Sequence, residues 1–574
     1  MTRADGRRWW GVALVVAVAL AASASGLGNG FALDDVPIVQ RHEVVHSLSR
    51  WWEIFGSPYW PPERGGGLYR PLPMLVWAAQ WTLGGGSPWP FHAVNVVLYA
   101  VLAAVVLRLM RALVADERAA LVGAALFAAH PVHVEAVANV VALTELMAAV
   151  PMVFAVAWFV ERRRAGALGG RDVVVLCGCY AAASLSKENG TMLPLLLVAA
   201  EVVLMRGTGP WRERARRSLP LMAGLMAVAA GYLVLRAHAL HAVKGEYPHV
   251  VWAVVPTLTR ELTMLGVAME WLRLLFWPAR LSAEYTPPHI RLIDHWSWAL
   301  LPAAILVYGV KSFMVVAFRR APLVAFASAW IVVTLFPVSN TFVVAGLILA
   351  ERTLLLPSVA AMLAVAWLAQ VALEWEAPRA AVLRGAGAAT VMALVALGTW
   401  RSAERGPVWR DNETLFRQTV ADAPQSYRAR YNLGAWFMER GALADGEREL
   451  RAAVALFPHD YEPMAFLANE YRKRDLCGPA VALYRDAIRL APRAAEVRAG
   501  FVACLIAVRD FDSARALARR GLGHGWGGEG ELARLMGVAD SLELARTAPQ
   551  ASGAPVRGEP PDRHLTGTSC TPCR

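Results

Sequence analysis

The chain alternates long apolar runs with short polar joints up to about residue 400, and then the pattern changes. The runs lie near residues 9–27, 90–110, 119–130, 140–160, 172–185, 190–205, 217–236, 297–318, 321–337, 353–371 and 380–400. At about 1.5 Å rise per residue, some twenty apolar residues cross a hydrocarbon core about 30 Å thick. The pattern therefore predicts an all-α protein whose residues 1–400 form a polytopic transmembrane helical bundle of eleven spans. A further stretch, Leu258 to Trp277, is interrupted by Arg260, Glu261, Glu270 and Arg273 and reads as a re-entrant or interfacial helix.

Residues 29–90, between the first two spans, are too polar for membrane core and too aromatic for a linker. They hold Trp51, Trp52, Trp60, Trp77, Trp81 and Trp89, and indoles favour the headgroup zone. The segment is expected to be a first outer loop with short helices on the membrane surface, Tyr69 to Leu83 being one. After Trp400 a 34-residue step aligns Pro424, Pro458 and Pro492, then Leu433, Leu467 and Phe501, then Gly446, Ala480 and Ala514. That is the tetratricopeptide period, with large and small residues placed for antiparallel helix pairs, so residues 401–530 are expected to be an α-solenoid. Residues 531–574 read as a weak helix and a disordered tail from about Thr547.

Composition agrees with the membrane reading, with 57% hydrophobic and 18% charged residues against about 45–50% apolar in soluble proteins. The net charge of +12 comes from arginines clustered in short joints: Arg3, Arg7 and Arg8, then Arg108, Arg111 and Arg118, then Arg162 to Arg164, then Arg206 to Arg217. Such clusters mark cytoplasmic loops, and no basic face interleaved with aromatics suggests nucleic acid. With the N-terminus inside, eleven spans deliver the repeat module to the outer side. The first run resembles a signal peptide, with small residues at Ala21 to Ser25, but its length reads as an uncleaved helix. The six cysteines suggest no disulfide framework: Cys177 and Cys179 lie in an apolar run, and Cys477 and Cys504 in repeat helices. Cys570 and Cys573 form a CxxC in a Pro/Gly/Ser/Thr-rich tail, which supplies two zinc ligands where a structural site needs four.

Candidate chemistry gathers on the outer side. Asp34 and Asp35 follow the first span, where a carboxylate could take a proton from an attacking hydroxyl or hold a divalent metal facing a phosphate. The plain alternative is that both simply face water. His130-Pro131-Val132-His133-Val134-Glu135, Ser186-Lys187-Glu188 and Glu351-Arg352 lie at other span ends. Arg70, Lys187 and Arg352 suit a lipid-linked phosphate, while a set of structural ion pairs among Lys187, Glu188, Glu351 and Arg352 is the alternative. His130 and His133, with Glu135, are set aside as a zinc site because no HExxH exists and Pro131 interrupts a shared helical face. His238, His241 and His249 receive no role.

These strings together resemble the transmembrane and tetratricopeptide-repeat O-mannosyltransferases and their bacterial relatives, of the GT-C glycosyltransferase architecture. The resemblance covers about residues 10–520. It rests on Phe31-Ala32-Leu33-Asp34-Asp35, Tyr69-Arg70-Pro71-Leu72, Phe91-His92-Ala93-Val94-Asn95, the His-Pro string, Leu185-Ser186-Lys187-Glu188 and Ala350-Glu351-Arg352-Thr353. It implies transfer of a sugar from a polyprenyl-phosphate carrier to an acceptor on the outer side. In that reading Asp34 or Asp35 is the catalytic base. Arg70, Lys187 and Arg352 bind the departing lipid phosphate, and Glu188, Glu351, His130 and His133 line the same site. The chain departs from the family at Leu143-Thr144-Glu145, where an arginine before an acid is common, and at Leu355, where an aromatic is common.

Two functional classes follow. One is a glycosyltransferase of a bacterial inner membrane, whose partners are the lipid-linked sugar, membrane lipid and a protein or envelope acceptor recruited by periplasmic repeats. Its near-total use of arginine over lysine points to a GC-rich bacterial genome. The rival is a non-catalytic membrane scaffold whose repeats bind peptide segments. A ligase or polymerase using lipid-diphosphate donors would place its long outer loop late in the chain, which this sequence does not.

Overall fold

The computed structural model describes residues 3–61, 67–241, 250–376, 380–525 and 527–547. The CxxC and the expected tail from 548 onward, together with His249, lie outside them. All eleven apolar runs are helices. They form α1 (Arg3–Ser23), then, after the short α2 (Trp51–Gly56) and α3 (Pro71–Gly84), α4 (Trp89–Leu113) and α5 (Glu117–Ala128). The short α6 (Val134–Ala138) precedes α7 (Leu143–Ala165), α8 (Gly170–Ser186), α9 (Leu193–Leu204) and α10 (Trp211–Leu240). After α11 (Val250–Val254) and α12 (Thr257–Phe276) come α13 (Leu301–Arg320), α14 (Pro322–Leu335), α15 (Leu355–Glu374) and α16 (Ala380–Arg405).

The expected count of eleven spans is corrected. Among the described residues, seven helices are long and apolar enough to cross a membrane, or eight if α5 and the bent segment after it form one span. The other runs fold as helices of 17 residues or fewer, because Pro and polar joints cut them short. The break after α5 bends the chain by 46° at His130-Pro131. The interrupted stretch is α12, an unbroken helix of 20 residues whose Thr263, Met264, Val267, Trp271 and Leu274 are buried. Exposed apolar side chains such as Met226, Val234, Ile305, Phe313, Val315 and Met392 cover the outer helices, as a lipid-facing surface requires.

Arginine joins tie one end of the bundle together. Arg108 pairs with Glu161 at 2.6 Å, Arg163 and Arg214 both bind Glu201 at 2.9 and 3.0 Å, and Arg206 donates to the Phe318 carbonyl at 2.7 Å. The C-terminal ends of α4, α7, α9 and α13 and the start of α10 thus share one face. The other ends meet elsewhere, the start of α4 bonding the segment after α1 through His92 and the Gly30 carbonyl at 3.0 Å.

The first loop carries short helices as expected, α3 being the anticipated Tyr69–Leu83 element with its ends shifted by one or two residues. Trp51, Trp52 and Trp89 are exposed, but Trp77 is fully buried in a local core with Ile38, Met74 and Phe91. One face of α3 packs inward and takes that indole from the interface.

The chain forms two compact units, Met1–Pro463 and Met464–Arg574. The first also contains α17 (Asn412–Asp422), α18 (Tyr427–Glu439) and α19 (Leu443–Leu456). The division falls inside α20 (Tyr461–Arg472), and the second unit holds α21 (Cys477–Leu490), α22 (Ala495–Ala507), α23 (Phe511–Gly523) and α24 (Glu529–Thr547). Helices recur at the 34-residue step, and Leu433, Leu467 and Phe501, like Gly446, Ala480 and Ala514, are all buried. Large residues fill the space that the small ones leave between paired helices. One expectation about cysteines is overturned: Cys477 and Cys504 form a disulfide joining α21 to α22. Spacing could not reveal it, since 27 residues separate the two and only the helix turn brings them together.

Closing a 27-residue loop stabilises a fold by about 2–4 kcal/mol, so the double Cys477→Ala, Cys504→Ala variant is expected to unfold earlier in denaturant when followed by helical circular dichroism. A side chain at Gly190 would collide with the backbone of Ala183 and Ser184. Gly190→Ala is therefore expected to destabilise the turn after α8 by about 1–3 kcal/mol, read as a lowered Tm in detergent.

Candidate active site

Eight ionisable side chains, drawn from six segments of the sequence, gather at the end of the bundle opposite the arginine joints. The first segment is the turn after α1. Leu33 adopts a left-handed backbone conformation, φ 53°, which costs a branched residue energy and is held by a 2.6 Å bond from its N–H to Asn412 Oδ1. The turn separates the two acids. Asp35 is buried, and its carboxylate accepts backbone N–H bonds from Val141 at 2.8 Å, Ala32 at 3.2 Å and Val140 at 3.3 Å. Burial pushes its carboxyl up to about 7 against the pull of those donors. It clamps the first loop to the start of α7. Asp34, half-buried beside it, acts electrostatically on Arg352, Tyr59 and Glu284.

Each of three cations is held by one carboxylate. Arg70 grips Glu188 with Nε at 3.0 Å and Nη2 at 2.7 Å, and its guanidinium stacks 4.7 Å from the Tyr59 ring centre. Lys187 is paired with Glu145, and Arg352 with Glu135, whose second oxygen accepts the Arg352 backbone N–H at 2.9 Å. The ion pairs expected among Lys187, Glu188, Glu351 and Arg352 do not form with one another; three of these residues are paired instead with Glu145, Arg70 and Glu135. Lys187 lies within reach of the Arg70 and Arg352 charges, and Arg352 of Asp34 and Glu145, so the groups form one cluster.

Three of the anticipated residues make their hydrogen bonds outside those three ion pairs. Glu351 is buried and accepts from the Ser282 N–H and the Tyr285 hydroxyl, both at 2.6 Å. His133 spans Tyr99 Oη at 2.9 Å and Ser358 Oγ at 2.8 Å, and His130 bonds the Leu275 carbonyl at 2.9 Å. Both rings brace the bent segment that aims Glu135. Among the described residues, no group of three or more His, Cys, Asp or Glu is arranged to hold a metal.

Sequence reasoning passed over Glu145, Tyr59, Tyr285 and Glu284. Glu145 was visible only as a departure from a familiar pattern, yet it is the partner of Lys187. Glu284 sits in a loop without periodicity, and burial pushes its carboxyl up to about 7.

No family model matches the sequence. Among known proteins it is similar to mouse protein O-mannosyl-transferase TMTC3, 24% identical over 514 residues, which cover 84% of this chain and 55% of the relative. Human protein O-mannosyl-transferase TMTC1 is 26% identical over 79% of this chain and 56% of its own length. The fruit-fly protein O-mannosyl-transferase Tmtc2 is 32% identical over 269 residues, 45% of this chain and 28% of the relative. The chain spans about half the length of the first two relatives.

Replacing Asp35 by Asn would turn an amide N–H₂ toward backbone N–H donors. Asp35→Asn is expected to cost about 1–3 kcal/mol of stability, more than Asp34→Asn, which stands at a half-buried position. Unfolding of both purified variants in detergent checks the contrast. By sequence, over most of its length the chain is similar to membrane-type relatives that are each named protein O-mannosyl-transferase.

Proposed function

We propose that the chain is a membrane glycosyltransferase that moves a mannosyl group from a polyprenyl-phosphate carrier to a hydroxyl of a protein acceptor on the non-cytoplasmic side. The observation that carries this reading is the gathering of Arg70, Lys187 and Arg352 around the turn that bears Asp34. Three cations, each paired with a carboxylate, form a site that takes a phosphate when that anion competes for the guanidinium and ammonium donors. The sugar and the acceptor class come from the relatives' names, which call each a protein O-mannosyl-transferase.

The Asp34 carboxylate takes the proton of the acceptor hydroxyl as its oxygen attacks C1 of the sugar. The new C1–O bond forms while the C1–O bond to phosphate breaks, its electron pair leaving on the lipid phosphate. Arg70, Lys187 and Arg352 stabilise that charge. Attack opposite the leaving group inverts the anomeric centre. Asp35 holds the Asp34 turn in place through the backbone bonds to Val140 and Val141.

Two features support the orientation. Arginine joins gather at the opposite end of the bundle, as the positive-inside rule expects of a cytoplasmic face. The Cys477–Cys504 disulfide favours an oxidising compartment for the repeat helices, which fits a bacterial periplasm.

Membranes holding wild-type protein are expected to transfer radiolabel from polyprenyl-phosphate mannose to protein, and Asp34→Asn at equal abundance to lose about 100-fold or more of that rate. Transfer that is absent in wild type, or equal in the two, would move the chain to the scaffold reading.

A further inference from the structure

A fourth cation reaches the cluster from a lipid-exposed helix. Arg236 lies near the outer end of α10, about 33 Å of helix beyond Arg214 and its joint with Glu201. Leu233, Val234 and Leu235, immediately before it, are exposed apolar side chains, whereas Tyr232 and Ala239, one turn to either side, are buried. Arg236 turns with that inward face. Its Nη2 donates to the Gly67 carbonyl at 2.7 Å, and its Nη1 stands 3.5 Å from the Tyr232 hydroxyl and 3.9 Å from Glu188 Oε1. Glu188 therefore faces two guanidinium groups, since Arg70 holds its Oε2 at 2.7 Å. A charge at the edge of lipid marks a functional position unless it is well paired, and 3.9 Å is too long for a hydrogen bond.

Exposure decides which of the three ion pairs a ligand can open. The Glu188 side chain is 29% exposed, against 4% for Glu145 and 2% for Glu135. Glu188 can turn to water when another anion takes its place, whereas the other two carboxylates would be left charged and buried. That place suits a phosphate. Its oxygens point several ways, so one group can accept from Arg70 and Arg236 together, which Glu188 does only at unequal distances. A sugar phosphodiester carries a single negative charge and the departing phosphomonoester about two, so a second guanidinium gains strength as the bond to the sugar breaks. A carrier whose tail stays in the bilayer would meet the cluster beside the exposed face of α10. We infer that Arg236 is a donor-binding residue, whose guanidinium joins that of Arg70 on the phosphate of a polyprenyl carrier arriving beside α10 and displacing Glu188. The inference rests on the transferase reading and assigns the lipid side of that same site.

The test uses full-length protein in detergent, with binding of farnesyl phosphate, farnesol and inorganic phosphate followed by tryptophan fluorescence, beside transfer from polyprenyl-phosphate mannose. Wild type is expected to bind farnesyl phosphate about tenfold or more tighter than either other probe. In Arg236→Gln that affinity is expected to fall about tenfold or more and the donor KM to rise alike, with the acceptor KM unchanged. Arg236→Lys, which keeps a cation, is expected to recover most of the loss. Equal farnesyl phosphate binding in wild type and Arg236→Gln, a rise in acceptor KM alone, or no recovery by lysine would each overturn the inference while wild-type transfer still upheld the function. Inorganic phosphate or farnesol bound as tightly as farnesyl phosphate would overturn the carrier assignment. Arg236-dependent binding in a protein that transfers nothing would uphold the lipid-phosphate site and strike the transferase reading, and loss of both binding and transfer in wild type would strike both.

Discussion

Charge at the edge of a membrane must be compensated, and that constraint organises this molecule. Arg70, Lys187 and Arg352 come from three segments separated by more than a hundred residues, and each is held by a carboxylate from another. Removing one partner would leave a buried charge unpaired, at a cost of about 3–5 kcal/mol. The pairs therefore stitch the first loop, the bent segment after α5, the turn after α8 and the start of α15 into one surface. The same pairs keep strong cations available beside an acid, which a purely apolar stitching would not do.

The acid turn is secured differently. Asp35 spends its lone pairs on backbone donors from the start of α7, and Leu33 is kept in a strained conformation by Asn412 of α17. The first repeat-like helices are consequently part of the same compact unit as the membrane helices, through Asn29 to the Gly406 carbonyl, Gly30 to the Arg410 carbonyl and the apolar cluster around Trp409. Two adjacent acids with identical chemistry differ in their surroundings, one bonded to backbone amides and the other half-buried within the electrostatic reach of Arg352.

Much of this was legible from residues alone. Apolar runs located every main helix of the bundle because lipid and core both demand them, and a 34-residue step located the helix pairs because small residues must face large ones. Span number was not legible. Whether a 12- or 17-residue run crosses depends on what packs beside it. His130 and His133 carried a ligand-like pattern but serve as braces, since their ring nitrogens find Leu275, Tyr99 and Ser358 across the bundle.

By itself, then, the sequence determined the helical class, the asymmetric distribution of arginine, the family resemblance and the short strings that hold Asp34, Arg70, Lys187 and Arg352, since these depend on local composition and period. Tertiary structure alone decided which carboxylate answers which cation, which aspartate is bonded to backbone amides, and that Cys477 meets Cys504. Those outcomes are pairings between residues distant in sequence. Coulomb attraction and desolvation act over a few ångströms of space, and no pattern along the chain records which distant neighbours will share it.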